Sequence, residues 1–269
     1  MRNKLTDELA ICGFNAVLAA AEYHPQKINR LFLREDRLES FLGICKQLAE
    51  RRQPYKICEN EELERVCKSV HHQGVVAMIE EPQIPPLETE ELELWASEGK
   101  TGLVLHSIGN DHNLGAIARA AAFFDVRFIV LNENDSEARL TTSAYRVAEG
   151  GFEHLEVRKI SDTAAFLKDA SKHLLTIGTD VRARRRISDL EGIVNDAKKR
   201  RQGIARNASN PGIAGNLGIA LILGNEETGL PKNVKDRCSC LLRIPGTGNI
   251  ESLNVTQAAA LFLHAIYEL

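Results

Sequence analysis

The chain has 269 residues, 43% of them apolar, which suffices for one large or two modest domains with conventional cores. Its net charge of −3 excludes wholesale electrostatic binding of nucleic acid but leaves room for local basic patches, and no run reaches the roughly 20 apolar residues of a membrane span. Six cysteines without CxxC spacing indicate neither a zinc site nor a disulfide scaffold, and the first residues lack a secretory signal's apolar region, so a reducing cytoplasm is the expected compartment.

Between 13 and 80 helical and strand patterns alternate. NAVLAAAEY reads as a helix, INRLFLR as a strand, LESFLGICKQLAERR as an amphipathic helix, YKIC as a strand, ELERVCKSV as a helix and GVVAMIE as a β-branched-rich strand. His71 and His72 precede that last strand, but adjacent residues on an extended segment face opposite sides, so a loop role is expected and no metal is assigned. A small α/β domain over 1–80 is therefore expected, followed by a Pro- and Glu-rich linker over 81–98 that ends in a short acidic helix.

Beyond the linker, TGLVLHSI reads as a buried strand, Asn110 to Asn113 as a loop and LGAIARAAAFF as a helix. FIVL, HLEVRKI and HLLTIGTD read as further strands, with SEARLTTSAYRVAEG and TAAFLKDAS as helices between them. Such alternation predicts a parallel sheet covered on both faces. On its helix Arg119 has Gly115, Ala116, Ala122 and Phe123 as neighbours, an apolar face on which a charge needs a salt bridge, an escape to solvent or a functional partner. Asn113 could cap the same helix or serve a ligand at the strand's carboxyl end.

Two later stretches share one design. ALILGNEETGLP carries an apolar run into a Gly-bracketed polar loop, and LLRIPGTGNIESLNVTQA joins a strand ended by Pro245 to a Gly-rich turn and a helix opened by Ser252 and Asn254. A strand, Gly-rich loop and helix N-terminus leave backbone N–H groups free for a ligand, although Ser252 could equally be a plain N-cap.

Together NLGAIAR, GNEETGL and IPGTGNIESLNV resemble the three signature motifs of the TrmH/SpoU class of SPOUT RNA methyltransferases, from about 100 to the C-terminus. The segment 13–80, ending in HHQGVVAMI, resembles the substrate-binding domain that often precedes this catalytic domain. The resemblance implies a SPOUT domain over 99–269 with a C-terminal trefoil knot, S-adenosyl-L-methionine as cofactor, a homodimer, and transfer of a methyl group to a ribose 2′-hydroxyl of tRNA or rRNA. It implies cofactor contacts around Thr179, Gly224, Ile244 and Leu253, and roles near the reacting groups for Asn113, Arg119, Glu226, Ser252 and Asn254. It requires no metal and no membrane.

One departure from the family pattern is the long stretch between Asp189 and Gly218. Lys198, Lys199, Arg200, Arg201 and Arg206 within it join Arg182, Arg184, Arg185 and Arg186 as either a phosphate-binding arm or a solvated loop. A dinucleotide-dependent oxidoreductase is the first competing reading, but GTGNIES lacks the G-x-G-x-x-G spacing. A noncatalytic RNA-binding relative that keeps the fold and the cofactor pocket is the other, disfavoured because all motif positions are present.

Overall fold

The computed structural model describes residues 2, 3, 7–133, 139–207 and 216–269, with backbone alone for 2, 3 and 204–207. In chain order come β1 (Arg2–Asn3), β2 (Glu8–Cys12), α1 (Phe14–Tyr23), β3 (Ile28–Leu33), α2 (Leu38–Glu50), β4 (Tyr55–Ile57), α3 (Asn60–Cys67) and β5 (Val75–Glu80). Then follow α4 (Thr89–Glu98), β6 (Thr101–Leu105), α5 (Asp111–Phe123), β7 (Val126–Asn132), α6 (Thr142–Ala148), β8 (Glu156–Ile160) and α7 (Thr163–His173). The remainder is β9 (Leu175–Thr179), β10 (Arg185–Arg186), α8 (Leu190–Asn207), β11 (Ile219–Leu223), α9 (Lys232–Lys235), β12 (Cys240–Arg243) and α10 (Val255–Tyr267).

Contacts divide the chain into two compact units. The first holds Met1–Gln83, Asn110–Arg119 and Arg139–His154. Its five-stranded sheet has the order β1-β2-β5-β3-β4, antiparallel except for the parallel β3–β4 pair. Phe41, Ile44, Cys45 and Leu48 are the buried residues of α2, and their spacing is that of one helix face. Strand β2, which the periodicity did not reveal, is buried along its whole length, and five residues without alternation carry no strand period.

The segments 110–119 and 139–154 join this unit because small residues admit close backbone approach. A Cβ on Gly115 would lie 2.5 Å from the Ala144 carbonyl oxygen, and one on Gly151 would lie 2.9 Å from that of Ala118. Thr142 anchors α6 by donating its hydroxyl to the Ala10 carbonyl at 2.6 Å.

The second unit holds Ile84–Gly109, Ala120–Ala138 and Leu155–Leu269. Its seven strands, in the order β10-β12-β9-β11-β6-β7-β8, are all parallel, as the strand–helix alternation predicts. Strand β11 is buried throughout, and so is β6 beyond Thr101, the continuous apolar signature of central parallel strands. One core cluster centres on Trp95, fully buried with its ring 5.3 Å from that of Phe128 and its indole N–H donated to the Lys100 carbonyl at 3.0 Å. Gly102 exists for this ring, since a Cβ there would sit 2.3 Å from the indole. Trp95→Ala is expected to remove about 3–5 kcal/mol of stability, read as a lower urea midpoint at constant slope; an unchanged midpoint would deny the ring its central place.

Two helix boundaries differ from expectation. Asp111 to Asn113 form the first turn of α5, not a loop, because the Asn110 side chain accepts the Asn113 N–H at 2.8 Å and so starts the helix one turn early. The helix expected over SEARLTTSAYRVAEG is confined to α6, capped by the Thr141 hydroxyl, while Ser136, Glu137 and Ala138 lie outside the described residues. The long stretch after Asp189 is not a loop as far as Asn207 but the helix α8; 208–215 lie outside the described residues.

Candidate functional site

Because all strands of the larger sheet run one way, the loops leaving β6, β9, β11 and β12 emerge on one edge. The loops after β6 and β11 are tied together. His106 donates its N–H to the Leu223 carbonyl at 2.9 Å, Asn225 donates its side-chain amide to the Ser107 carbonyl at 2.8 Å, and Gly109 donates its N–H to the Glu226 carboxylate at 3.2 Å.

The β11 loop is a closed turn built on Asn225, whose side-chain oxygen accepts the N–H groups of Glu227 and Thr228 at 2.9 and 3.1 Å. Asn225 also accepts the Gly229 N–H on its carbonyl at 2.9 Å. Gly224 sits against the returning chain, where a Cβ would be 2.5 Å from the Gly229 carbonyl carbon. Sequence reasoning passed over Asn225 as a site residue, although a side-chain-accepting Asn directly after a strand is a recognisable turn former.

On the neighbouring strand end, Thr179 donates its hydroxyl to the Ile222 carbonyl at 3.2 Å, and the Asp180 N–H reaches Leu242 at 3.0 Å. Burial opposes the charge on Asp180, but Lys235 at 2.8 Å and the Arg182 N–H hold its carboxyl below the ordinary range. Ile244 is half-buried where β12 ends. From Pro245 to Asn254 the loop is exposed, with Ile250 at 80% and Leu253 at 46%. Among the described residues its only internal N–H bond is the long one from Asn249 to the Thr247 hydroxyl, 3.4 Å. Asn254, not Ser252, caps α10, accepting the Thr256 N–H at 2.8 Å. Thr179, Gly224, Glu226, Ile244, Ser252, Leu253 and Asn254 thus share one unit and one sheet edge.

Asn113 and Arg119 belong to the other unit. Asn113 lies inside the first turn of α5 and is not its cap. The apolar face expected around Arg119 is divided: Gly115 is buried, Ala116 and Ala122 are half-buried, and Phe123 is 79% exposed, with the arginine side chain itself 59% exposed. Its guanidinium lies 3.0 Å from the Glu149 carboxylate, which also accepts the Asn15 amide at 3.2 Å. Glu149, at the left-handed C-cap of α6, has no signal in sequence because it is thirty positions away. An ion pair this exposed stabilises by about 0–1 kcal/mol and exchanges readily for another anion.

The basic residues separate into kinds. Arg182, Arg184, Arg185, Arg186, Lys199 and Arg200 are exposed. Arg201 is turned inward, giving its guanidinium to the carbonyls of Asn216 (3.0 Å) and His173, so it serves the fold and leaves the arm. The Arg206 side chain lies outside the described residues. His72 is buried and accepts the Gly74 N–H on its ring at 3.0 Å, with burial lowering its pKa, while His71 is exposed. Among the described residues no group of three or more His, Cys, Asp or Glu could hold a metal ion, and no helix is long and apolar enough to cross a membrane.

Residues 100–264 match the family model of the SpoU rRNA Methylase family. The chain belongs to that family. Residues 10–85 match the model for RNA 2'-O ribose methyltransferase substrate binding, so both halves of this SpoU-family chain find counterparts. It is 28% identical over 257 residues to the 23S rRNA (guanosine-2'-O-)-methyltransferase RlmB of Acinetobacter baylyi, covering 94% of each chain. It is also 28% identical to the RlmB of Coxiella burnetii over 267 residues, covering 96% of this chain and 94% of that one. Among solved structures, the AdoMet-bound rRNA methyltransferase from Sinorhizobium meliloti superposes with a TM-score of 0.72 at 18% identity, covering 98% of this chain and 88% of that one. The SpoU methyltransferase AviRb from Streptomyces viridochromogenes, in complex with AdoMet, gives 0.71 at 17% identity, with coverages of 100% and 93%. At such identities these two likenesses speak for the SpoU fold. The matched span of the SpoU family contains α5 and the loops after β6, β11 and β12.

Proposed function

We infer that the chain is an S-adenosyl-L-methionine-dependent methyltransferase that modifies a ribose 2′-hydroxyl of rRNA or tRNA. The observation that carries this is the SpoU-family span itself, in which Asn225 and Glu226 of the GNEETGL loop hold the loop after β6 at Ser107 and Gly109, while the 245–254 loop leaves backbone donors unpaired on the same sheet edge. The cofactor fits that donor set: the 245–253 loop offers N–H groups to the ring nitrogens and carboxylate of an adenosyl-amino acid, and Gly246 and Gly248 have nothing within 4 Å of a would-be Cβ. Gly224, Ile244 and Leu253 would hold it through backbone, with Thr179 lining the same edge.

Bound S-adenosylmethionine supplies a methyl group activated on a sulfonium for in-line displacement by the ribose oxygen. The protein's part is position and charge. As the hydroxyl loses its proton, Arg119 stabilises the growing negative charge or holds the adjoining phosphate, exchanging Glu149 for it. A guanidinium with a pKa above about 12 is no base, so the proton leaves to another group. Asn113, Glu226, Ser252 and Asn254 are assigned to orienting the ribose, the cofactor and Arg119.

The homodimer implied by the resemblance is part of this proposal, supported by Phe123, Leu261 and Tyr267, large exposed apolar residues on α5 and α10. The trefoil knot is supported by β12, the last strand in sequence, lying between β9 and β10 in the sheet. A cytoplasmic setting is supported by six free cysteines. The division into domains at 1–80 and 99–269 with a linker at 81–98 is proposed likewise, supported by the model matches at 10–85 and 100–264.

The test is to map ribose methylation across total RNA incubated with the protein and S-adenosylmethionine. Ribosomal RNA comes first, because relatives matched over 94% of this chain act on 23S rRNA by name. One or a few new 2′-O-methyl positions are expected. Cofactor binding without transfer to any RNA would identify a noncatalytic RNA-binding relative instead.

A further inference from the structure

The stretch 182–201 carries eight cations against three carboxylates in a chain whose net charge is −3. Elsewhere Arg30, Arg34, Arg119, Arg127 and Arg158 meet carboxylates. Among the described residues Arg182, Arg184, Arg185, Arg186, Lys199 and Arg200 make no ion pair. Asp189 and Asp196 lie among them without neutralising them; Asp189 instead accepts the Arg186 backbone N–H at 2.7 Å.

Two placements give this charge a direction. Strand β10 pairs with β12 so that Arg185 stands opposite Leu242 and Arg186 opposite Arg243, one residue before Ile244 and the exposed 245–254 loop. From there α8 leads away, and a groove of about 630 Å³ is lined by Arg185, Ser188 and Asp189 before or at its start and by Gly192, Asp196 and Arg200 on it. The ten residue steps of helix from Leu190 to Arg200 span about 15 Å. Arg185 of the strand and Arg200 of the helix therefore border one groove, and Arg186 stands opposite Arg243 just before the assigned cofactor loop.

We propose that β10 and α8 form a track for the phosphate backbone of single-stranded RNA, leading to the loops assigned to methyl transfer. The proposal rests on the RNA-modifying reading for the identity of its polyanion. Arginine predominates, and its planar fork pairs bidentately with phosphate oxygens. Gly192 and Ala197 line the groove with little or no side chain, and Arg201 is spent on the carbonyls of Asn216 and His173.

The experiment uses the full chain, a fluorescent single-stranded oligoribonucleotide of mixed sequence and a series of salt concentrations, with S-adenosylmethionine binding measured by calorimetry on each variant. R184Q/R185Q/R186Q and, separately, K199Q/R200Q should each flatten the salt dependence by roughly 0.7 per lost contact, a loss of roughly fivefold in affinity per contact at 0.1 M salt. Cofactor affinity should stay at the wild-type value, which also reports that each variant is folded; should one variant not fold, the other carries the test. The control K168Q/R237Q removes two exposed cations of the same unit and should change little. An unchanged slope in the folded variants, or an equal loss in the control, overturns the track. Intact oligonucleotide binding with no methyl transfer by the wild type would overturn the enzymatic reading and leave the track standing.

Discussion

Arg119→Ala should lower methyl transfer on the order of a hundredfold or more while S-adenosylmethionine binding stays as it is. The expected separation follows from where the residue sits: α5 carries Arg119, whereas Thr179, Gly224, Ile244 and Leu253 belong to the loops of the larger sheet. Folding should hardly notice, since the side chain is mostly exposed and its pair with Glu149 is worth at most about 1 kcal/mol. Arg119→Lys keeps the charge and loses the fork, so partial recovery would favour charge stabilisation over bidentate phosphate capture. Glu149→Gln leaves Arg119 unpaired and should keep transfer near the wild-type rate. Parallel loss of transfer and cofactor affinity in Arg119→Ala would remove Arg119 from the reacting oxygen.

The second large effect is expected at Gly224, where Val should abolish measurable cofactor binding. A Cβ there meets backbone on three atoms, the Gly229 carbonyl carbon at 2.5 Å, the Leu230 nitrogen at 2.6 Å and the Gly229 oxygen at 2.8 Å. Backbone in a turn closed by Asn225 cannot give way cheaply, so the whole loop must move, and Glu226 with it. Gly246→Ala is the informative companion, because nothing lies within 4 Å of its Cβ and the protein alone tolerates it. Weakened binding in Gly246→Ala therefore reports contact with the ligand, whereas Gly224→Val reports the shape of the turn. Retained affinity in a folded Gly224→Val protein would move the cofactor elsewhere.

How far the site could be read in advance differs from residue to residue. Asn254 was legible as a helix opener because capping is local: its side chain reaches a backbone N–H two residues on. Of the two roles open to Asn113, the cap falls to Asn110, which offers an identical side chain three residues earlier. Strand β2 escaped because burial on both faces erases the alternation by which a strand is recognised. Arg201 looked like its neighbours Lys199 and Arg200 until α8 turned it towards His173 and Asn216.

By itself the amino-acid order determined the strand–helix alternation that makes a parallel sheet, the Gly-bracketed loops, and the motif set that marks the family. Those features are set by backbone preference and apolar period, which act over a few residues. Only the tertiary structure decided that Glu149 meets Arg119, that Asn225 and Glu226 tie two loops together, and that the cations of β10 and α8 border one groove. The ion pair and the loop ties join residues from 30 to 118 positions apart. Hydrogen bonds and charges of that kind leave no periodic trace in a sequence, because they come into being only when packing brings distant segments together.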